Sequence, residues 1–213
     1  MKRIVFCDFD GTISAEETFV ALLRKFTPSL AEQLMPEMYA RRLTLREGVR
    51  QLLESIPSTQ YPELIAFSKA KAVMRPGLPE LLDFLDRQSV PFVVISGGVQ
   101  VMVETILGDL VKRMAGVHAV QLETSGERLK AVSPFEDGTE LVSKVKIIAE
   151  YDCDEAIAIG DSITDLNMAL NVPVVFARDR LAIYLQESET PYFAWEDFHD
   201  VRKSLAQQWG VQP

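Results

Sequence analysis

The stretch IVFCDFDGT, residues 4–12, places two aspartates directly after a run of apolar residues. Residues 3–7 predict a short buried strand, so Asp8 and Asp10 lie at its carboxyl end. Two carboxylates this close repel each other, and burying them costs free energy unless other groups compensate. The rest of the sequence must therefore supply the compensating groups.

Length and composition are those of an ordinary globular protein. The chain has 213 residues, which suits one domain or a core with a smaller inserted module. No apolar run approaches the roughly 18 residues that a membrane span needs, and residues 4–7 are too few for a signal peptide. The two distant cysteines, Cys7 and Cys153, are expected to be reduced thiols rather than a disulfide. We therefore expect a cytoplasmic protein.

The charge of the chain limits its partners. The net charge is −9, and no basic cluster is longer than a pair such as Arg41-Arg42. This distribution argues against nucleic acid or an anionic membrane as a partner. A small anionic substrate fits only if basic side chains gather locally around it.

The pattern of apolar residues divides the chain in two. Helical spacing predicts a block of helices over residues 15–26, 29–40, 44–54 and 60–73. After residue 74, helices alternate with apolar runs typical of strands buried on both faces, which predicts an α/β fold with a parallel sheet. The predicted strands there are residues 90–96, 117–123, 155–161 and 172–177, and the predicted helices include one after a Gly97-Gly98 turn and residues 139–150, 179–187 and 197–208.

Three of the predicted strands end in polar or acidic residues. The endings CDFDGT, ISGG and IGDSITD supply Asp8, Asp10, Ser96, Asp161 and Asp165. Parallel sheets bind ligands at the carboxyl ends of their strands, so these residues form a candidate active site. Carboxylate oxygens suit Mg²⁺, and a bound cation would offset their repulsion. The plain alternative is a solvated acidic patch, which the long apolar runs before these residues disfavour.

Other kinds of site fail on spacing. An EF-hand loop needs a glutamate eleven residues after its first aspartate, and Phe19 stands there. A GDSL-type esterase needs a C-terminal D-x-x-H, whereas Asp197 and His199 are two residues apart. His118 and His199 do not lie beside a candidate nucleophile in the sequence, so both are expected to be structural.

A carboxylate nucleophile remains. Asp8 would attack phosphorus and form an acyl phosphate, while Asp10 would protonate the leaving oxygen and then activate water. Phosphoryl transfer also needs positive charge around the phosphate, which Mg²⁺ and a lysine after Ser96 would supply. Gly11 would let the backbone pass close to the phosphate.

The motifs DFDGT, ISGG, a lysine at a helix start and GDSITD, in this order, resemble the four motifs of the haloacid dehalogenase (HAD) superfamily of phosphatases. The resemblance implies a Rossmann-like core, residues 1–13 and 75–213, with an inserted all-helical cap, residues 14–74. It also implies a Mg²⁺-dependent phosphomonoesterase acting on a small organic phosphate. A non-catalytic phosphometabolite-binding protein is the alternative, and the presence of all four motif aspartates argues against it.

The resemblance assigns roles by position. Asp8 resembles the nucleophile and Asp10 the general acid/base, whose backbone carbonyl also binds Mg²⁺. Asp165 corresponds to a metal ligand or to an acid behind the ligands. Lys144 is preferred to Lys146 as the phosphate lysine, because the apolar residues after it have the spacing of the family helix. The implied phosphate-binding residues are Gly11, Ser96, Gly97 and Lys144, and the implied metal ligands are Asp8, Asp10, Asp161 and Asp165.

Two branches of the family compete for the substrate. The segments VISGG, IGDSITD, FARDRL and DFHDVRK resemble methionine-salvage phosphatases, which act on 2-hydroxy-3-keto-5-methylthiopentenyl-1-phosphate. Glu17 instead stands at the glutamate position of the serine clamp in phosphoserine phosphatases, and Arg50 falls close to the place of its arginine, although Thr164 stands where those enzymes have Asn. The methionine-salvage branch is preferred. Glu17 and Arg50 are then either clamp residues or surface residues of amphipathic helices.

Overall fold

The computed structural model describes residues 1–71 and 73–213. Ala72, which belongs to the predicted helix 60–73 and to the predicted cap, lies outside the described residues. A seven-stranded sheet with surrounding helices forms the described chain. Its strands are β1 (Arg3–Asp8), β2 (Phe92–Val99), β3 (Gly116–Glu123), β4 (Lys130–Val132), β5 (Glu155–Gly160), β6 (Val174–Ala177) and β7 (Phe193–Ala194).

The sheet is parallel except at one edge. The strand order is β4-β3-β2-β1-β5-β6-β7, and only the pairing of β3 with β4 is antiparallel. The central strands β1, β2 and β5 are buried along nearly their whole length, as in sheets that helices cover on both faces. The predicted α/β fold with a parallel, Rossmann-like sheet is confirmed.

Ten α-helices are found in the described part of the chain. Four of them follow β1 in a continuous helical block, at the places where apolar spacing predicts helices. The helices are α1 (Thr18–Phe26), α2 (Pro28–Tyr39), α3 (Leu45–Glu54), α4 (Tyr61–Ala70), α5 (Leu78–Arg87), α6 (Gln100–Leu107), α7 (Lys144–Ala149), α8 (Leu166–Ala169), α9 (Asp179–Glu187) and α10 (Phe198–Trp209).

Two linkers join the helical block to the sheet, and they run side by side. The amide of Ala15 donates to the carbonyl of Val73 at 2.8 Å, and the amide of Arg75 donates to that of Ile13 at 2.9 Å. The chain therefore leaves the sheet and returns to it at one place, a few residues after β1.

The helical block meets the rest of the protein at a second place, which we call the hairpin contact. Residues 55–58, after α3, lie against the β3–β4 hairpin. The amide of Ser58 donates to the carbonyl of Glu127, and the amide of Leu129 donates to that of Ile56, both at 2.9 Å. The block is thus held to the rest of the protein at its paired linkers and again near its middle.

The predicted Gly97-Gly98 turn is wrong. Strand β2 continues through both glycines to Val99, and α6 begins immediately after it. The register of β2 against β3 shifts between Ile95 and Val99. Glycines favour such an irregularity in a strand as well as a turn, because they lack a side chain that must pack.

The predicted helix 139–150 is shorter than expected, because α7 begins only at Lys144. The carboxylate of Asp137 accepts hydrogen bonds from the amides of Thr139 and Glu140 at 2.8 Å each. An aspartate that binds the backbone two and three residues further on favours a turn over a helix. The segment before α7 is therefore a turn that Asp137 fixes.

The remaining sequence predictions concern cysteines, histidines and membrane segments. Cys7 and Cys153 are both free thiols, as expected. His118 is half-buried and lies 2.7 Å from the hydroxyl of Tyr151, a structural partner. Among the helices of the described residues, none is both long enough and apolar enough to span a bilayer.

Candidate active site

The carboxyl ends of β1, β2 and β5 meet at one crevice. In the register of the sheet, Asp8 lies beside Ile95 of β2, and Cys7 lies beside Ile159 of β5. After β1, the chain adds β2, β3 and β4 on one side of it. It then adds β5, β6 and β7 on the other side. The crevice between β1 and β5 is the switch point at which sheets of this kind bind ligands.

A buried lysine compensates the charge of Asp8. Asp8 is 4% exposed and Lys144 is 3% exposed. The Nζ of Lys144 donates to Oδ1 of Asp8 and, at 2.5 Å, to Oδ1 of Asp165. Burial alone would lower the pKa of Lys144, but the charges of Asp165 and Asp8 outweigh it and raise this pKa above its usual value. The lysine is therefore a fixed cation at the end of β1.

Asp165 is completely buried, and hydrogen bonds occupy both of its oxygens. Its Oδ2 accepts from the amides of Asp161 and Ser162 at 3.0 Å each, and its Oδ1 accepts from Lys144. Asp165 thus holds the loop after β5 and orients the lysine.

Asp161 is fixed by the loop after β1. The hydroxyl of Thr12 donates to Oδ1 of Asp161 at 2.8 Å. A Cβ at position 11 would lie 2.5 Å from Oδ2 of the same carboxylate, and Gly11 has φ +85°. Both the close approach and the left-handed backbone require glycine here.

The carboxylates of Asp8, Asp161 and Asp165 can hold a metal ion. One oxygen of each lies within 4.8 Å of the others. Burial, followed by the charge of Asp165, raises the pKa of Asp8 above its usual value and that of Asp161 to about 7. Three buried carboxylates against the single cation of Lys144 leave excess negative charge, and carboxylate oxygens are the donors that Mg²⁺ prefers. The donor set therefore fits a hard divalent cation.

The side chain of Asp10 is not part of this cluster. Both of its oxygens accept from the amide of Phe19 at 3.1 Å, at the start of α1. Burial raises its pKa to about 7, although the hydrogen bond from Phe19 opposes the shift. A carboxyl group with a pKa near neutrality suits general acid–base catalysis.

Ser96 lies in β2, the strand next to β1, and is buried. Its Oγ accepts a hydrogen bond from the amide of Gly98 at 3.0 Å, and Ser96 itself is not among the residues that line the cavity described next. Gly97 is exposed, and both Gly97 and Gly98 line the cavity described next.

A cavity of about 440 Å³ lies between these residues and the helical block. Its two ends differ in chemistry. The charged lining residues other than Glu140 form what we call the charged end: Asp8, Asp10, Glu17, Arg75, Lys144, Asp161, Arg178, Asp179 and Arg180. The wall formed by α1, α2 and α3 is apolar or aromatic, and we call it the apolar wall: Phe19, Val20, Leu23, Met35, Met38, Tyr39, Leu45 and Val49.

The sequence matches a known family model over most of its length. The model of the haloacid dehalogenase-like hydrolases matches residues 5–170. The chain belongs to this family. The resemblance inferred from the motifs is thereby confirmed.

Curated relatives of the hydrolase share one name. A protein of Microcystis aeruginosa, named 2-hydroxy-3-keto-5-methylthiopentenyl-1-phosphate phosphatase, is 53% identical over 207 residues, 96% of this chain and 98% of that protein. A protein of Bacillus cereus with the same name is 33% identical over 220 residues, 100% of both chains. Together with the family match, these relatives indicate that the hydrolase is a phosphatase.

Solved structures share the fold of the hydrolase at low identity. The phosphoserine phosphatase from T. onnurineus superimposes with a TM-score of 0.70 at 16% identity, covering 96% of this chain and 94% of that one. A phospho-aspartyl intermediate analogue of phosphoserine phosphatase gives a TM-score of 0.66 at 17% identity, covering 99% of both chains. Identities this low establish the fold alone.

The residues suggested for a serine clamp in the hydrolase lie apart. Glu17 lines the cavity. Arg50 instead donates to the carboxylate of Glu136 and to the carbonyl of Ala131, and lies 3.6 Å from a carboxylate oxygen of Glu54. The bonds to Ala131 and Glu136 join α3 to β4 and the segment after it, beside the hairpin contact, and Arg50 is not among the residues that line the cavity.

The two candidate lysines also lie apart. Lys144 binds Asp8, whereas Lys146 is exposed and donates to the carbonyl of Glu136 at 2.8 Å. This geometry favours Lys144 as the phosphate lysine of the hydrolase.

Sequence reasoning missed Arg75, which supports the loop that carries Asp10. Its guanidinium donates to the carbonyl of Gly11 at 2.7 Å and to that of Thr12 at 2.9 Å. It also lies against the ring of Trp195, at 5.4 Å from the centroid. The only sequence signal is its place directly after the helical block, where the returning chain must pass β1.

Proposed function

We propose that the hydrolase is a Mg²⁺-dependent phosphomonoesterase that removes the phosphate of 2-hydroxy-3-keto-5-methylthiopentenyl-1-phosphate, a reaction of methionine salvage. The relatives at 53% and 33% identity carry the name of this activity over nearly their whole length. The free thiols of Cys7 and Cys153 agree with a cytoplasmic location, which stays a prediction.

The observation that carries this proposal is the division of the cavity into a charged end and an apolar wall. The proposed substrate has the same division, because its phosphate is at carbon 1 and its methylthio group is at carbon 5. Apolar walls bind such a tail by burial, at roughly 25 cal/mol per Å² removed from water. Phosphoserine offers only charged and polar groups to that wall.

Asp8 is the proposed nucleophile. One of its carboxylate oxygens attacks phosphorus, so that an oxygen–phosphorus bond forms as the bond to the leaving oxygen breaks. Lys144 holds the carboxylate and places positive charge beside the phosphate, and the hydroxyl of Ser96 donates to a phosphate oxygen.

Asp10 is the proposed proton carrier. It donates its proton to the leaving oxygen, and then, as a carboxylate, takes a proton from the water that hydrolyses the acyl phosphate. Its pKa near 7 lets both protonation states occur at neutral pH. The amide of Phe19 ties this carboxyl group to the start of α1, so a movement of the helical block would also move the acid.

The proposed ligands of Mg²⁺ are Asp8, Asp161 and the backbone carbonyl of Asp10. Asp165 would support these ligands without binding the ion, because its oxygens are already bonded. When bound, Mg²⁺ would supply positive charge to the phosphate oxygens.

Residues 14–74 are proposed to act as a cap. The paired linkers are the place at which this segment could pivot, opening would break the bonds of the hairpin contact, and its apolar wall forms one side of the cavity. Closure would exclude water until the leaving group has departed.

A substrate panel with the purified protein tests the proposal. The panel contains the methylthio substrate, phosphoserine and p-nitrophenyl phosphate, each with Mg²⁺ and with EDTA. We expect the methylthio substrate to have the highest kcat/KM, EDTA to abolish turnover, and the variant Asp8→Asn to be folded and inactive. A preference for phosphoserine would overturn the substrate, and wild-type rates in Asp8→Asn would overturn the mechanism.

A further inference from the structure

One carboxylate of the cavity has no part in the chemistry proposed so far. Glu140 lines the cavity and is half-buried. Within residues 1–71 and 73–213, its backbone amide is bonded to Asp137, but its carboxylate forms no hydrogen bond and no ion pair. A carboxylate partly removed from water without a partner costs free energy, which a ligand can recover.

The backbone that carries Glu140 is rigid. The Asp137 turn fixes it from one side. From the other side, the amide of Arg46 donates to the carbonyl of Thr139 at 2.8 Å, and its guanidinium donates to the carbonyl of Asp137 at 3.1 Å. A free side chain on a fixed backbone is typical of a binding residue rather than of a mobile loop.

Glu140 lies between the two ends of the cavity. On one side, Thr139 is bonded to the first turn of α3, which contributes Leu45 to the apolar wall. On the other side, Lys144 follows four residues later, at the start of α7, and binds Asp8. Glu140 is thus a polar group between the charged end and the apolar wall.

The protonation of Glu140 suits hydrogen bonding to a neutral polar group. Burial raises its pKa to about 7, and the charge of Lys144 limits this shift. A carboxyl group in this state can accept from a hydroxyl or donate to a carbonyl.

We propose that Glu140 determines specificity by accepting a hydrogen bond from the hydroxyl on the carbon next to the phosphate-bearing carbon. This inference rests on the proposed function, because that substrate carries a hydroxyl at carbon 2, between the phosphate and the apolar tail. A site with such an acceptor discriminates against an ester that lacks the hydroxyl, since the half-buried carboxylate then stays unpaired.

Two phosphate esters that differ in one oxygen test the assignment: 2-hydroxy-5-(methylthio)pentyl phosphate and 5-(methylthio)pentyl phosphate. We expect the wild-type protein to prefer the hydroxylated ester in kcat/KM by about 10- to 100-fold, as for other charge-assisted hydrogen bonds. In Glu140→Ala the ratio of kcat/KM for the two esters should fall to about one, and in Glu140→Gln it should take an intermediate value. Glu150→Gln, an exposed glutamate beyond α7, is the matched control and should keep the wild-type ratio.

The possible outcomes separate the two proposals. If the wild-type protein hydrolyses both esters without preference, or if Glu140→Ala keeps the preference, Glu140 is not the specificity residue and the proposed function stands. If the wild-type protein hydrolyses p-nitrophenyl phosphate but neither ester, the substrate class itself is wrong, and the role of Glu140 falls with it. Circular dichroism of each variant checks that the fold is kept.

Discussion

At the residue scale, the central feature is that Lys144 serves two buried carboxylates at once. Replacing it by methionine would leave Asp8 and Asp165 buried without a cation. We expect Lys144→Met to lower the free energy of unfolding by about 3–5 kcal/mol in EDTA, the usual cost of breaking a buried ion pair, and to abolish turnover. Urea denaturation followed by circular dichroism measures the first effect.

Lys146 is the matched control for that experiment, because it is exposed and two residues away on the same helix. The change Lys146→Met should alter the free energy of unfolding by less than about 0.5 kcal/mol. Equal losses in both variants would mean that the Lys144 ion pairs contribute nothing special to folding.

Arg75 allows a second test at this scale. Lysine keeps the charge but cannot donate to the carbonyls of Gly11 and Thr12 in the same forked geometry. We expect Arg75→Lys to lower kcat about ten-fold through misplacement of the loop with Asp10, with little change in KM. Steady-state kinetics beside Arg24→Lys, an exposed arginine on α1, checks this; a rise in KM alone would assign Arg75 to substrate binding.

The residues that sequence could suggest are those whose spacing is local. Asp8 and Asp10 are two residues apart, and Asp161 and Asp165 belong to one motif, so their patterns are visible without the fold. Arg75 and Glu140 act through contacts with distant segments and belong to no such motif. The bonds of Arg50 to Glu136 join residues 86 apart in the sequence, which no local pattern reveals.

At the element scale, periodicity succeeded where a helix has one apolar face and failed where tertiary contacts decide. Each helix of the block begins and ends within three residues of its predicted bounds. The Gly97-Gly98 turn was wrong because β3 continues to pair beyond the register shift, and helix 139–150 was too long because Asp137 binds the backbone ahead of α7. Both segments line the cavity, so their backbone conformation is set by contacts around the site and not by local periodicity.

The hairpin contact allows a test of what Arg50 does. Its ion pairs with Glu136 and Glu54 are about one-third exposed, so solvent screens them and each contributes on the order of 1 kcal/mol or less. We expect Arg50→Ala to speed hydrogen exchange of the amides of Ser58 and Leu129 while leaving the ranking of substrates unchanged.

The double-mutant cycle of Arg50→Ala with Glu136→Ala isolates the pair itself. A coupling energy indistinguishable from zero would place the strength of the hairpin contact in its backbone bonds. Loss of activity on phosphoserine alone in Arg50→Ala would instead restore the serine clamp.

At the scale of the whole molecule, the order of the strands brings together side chains that are far apart in the sequence. Because β1 lies between β2 and β5, Thr12 in the loop after β1 meets Asp161 in the loop after β5, 149 residues further along the chain. The motif order therefore predicted which residues converge. The residues that line the cavity could not be predicted in the same way, since they depend on how the helical block lies over the sheet.

The excess negative charge of this convergence makes the stability of the whole fold depend on metal. A cation that binds only the folded state stabilises it by about 2.7 kcal/mol at one hundred times its dissociation constant. For a chain of this length that corresponds to a rise in Tm of about 5–10 °C. We expect Mg²⁺ to raise the Tm of the wild-type protein by this amount in differential scanning calorimetry, without any substrate present.

The variant Asp161→Asn separates metal binding from general effects of salt. It removes one donor and one buried charge, so its Tm without Mg²⁺ should equal or exceed that of the wild type, whereas the rise with Mg²⁺ should nearly vanish. Asp152→Asn, at a side chain 98% exposed, should keep the full rise. An equal rise in all three proteins would mean that Mg²⁺ acts on the surface, and the carboxylates of Asp8, Asp161 and Asp165 would then need Lys144 alone as their compensation.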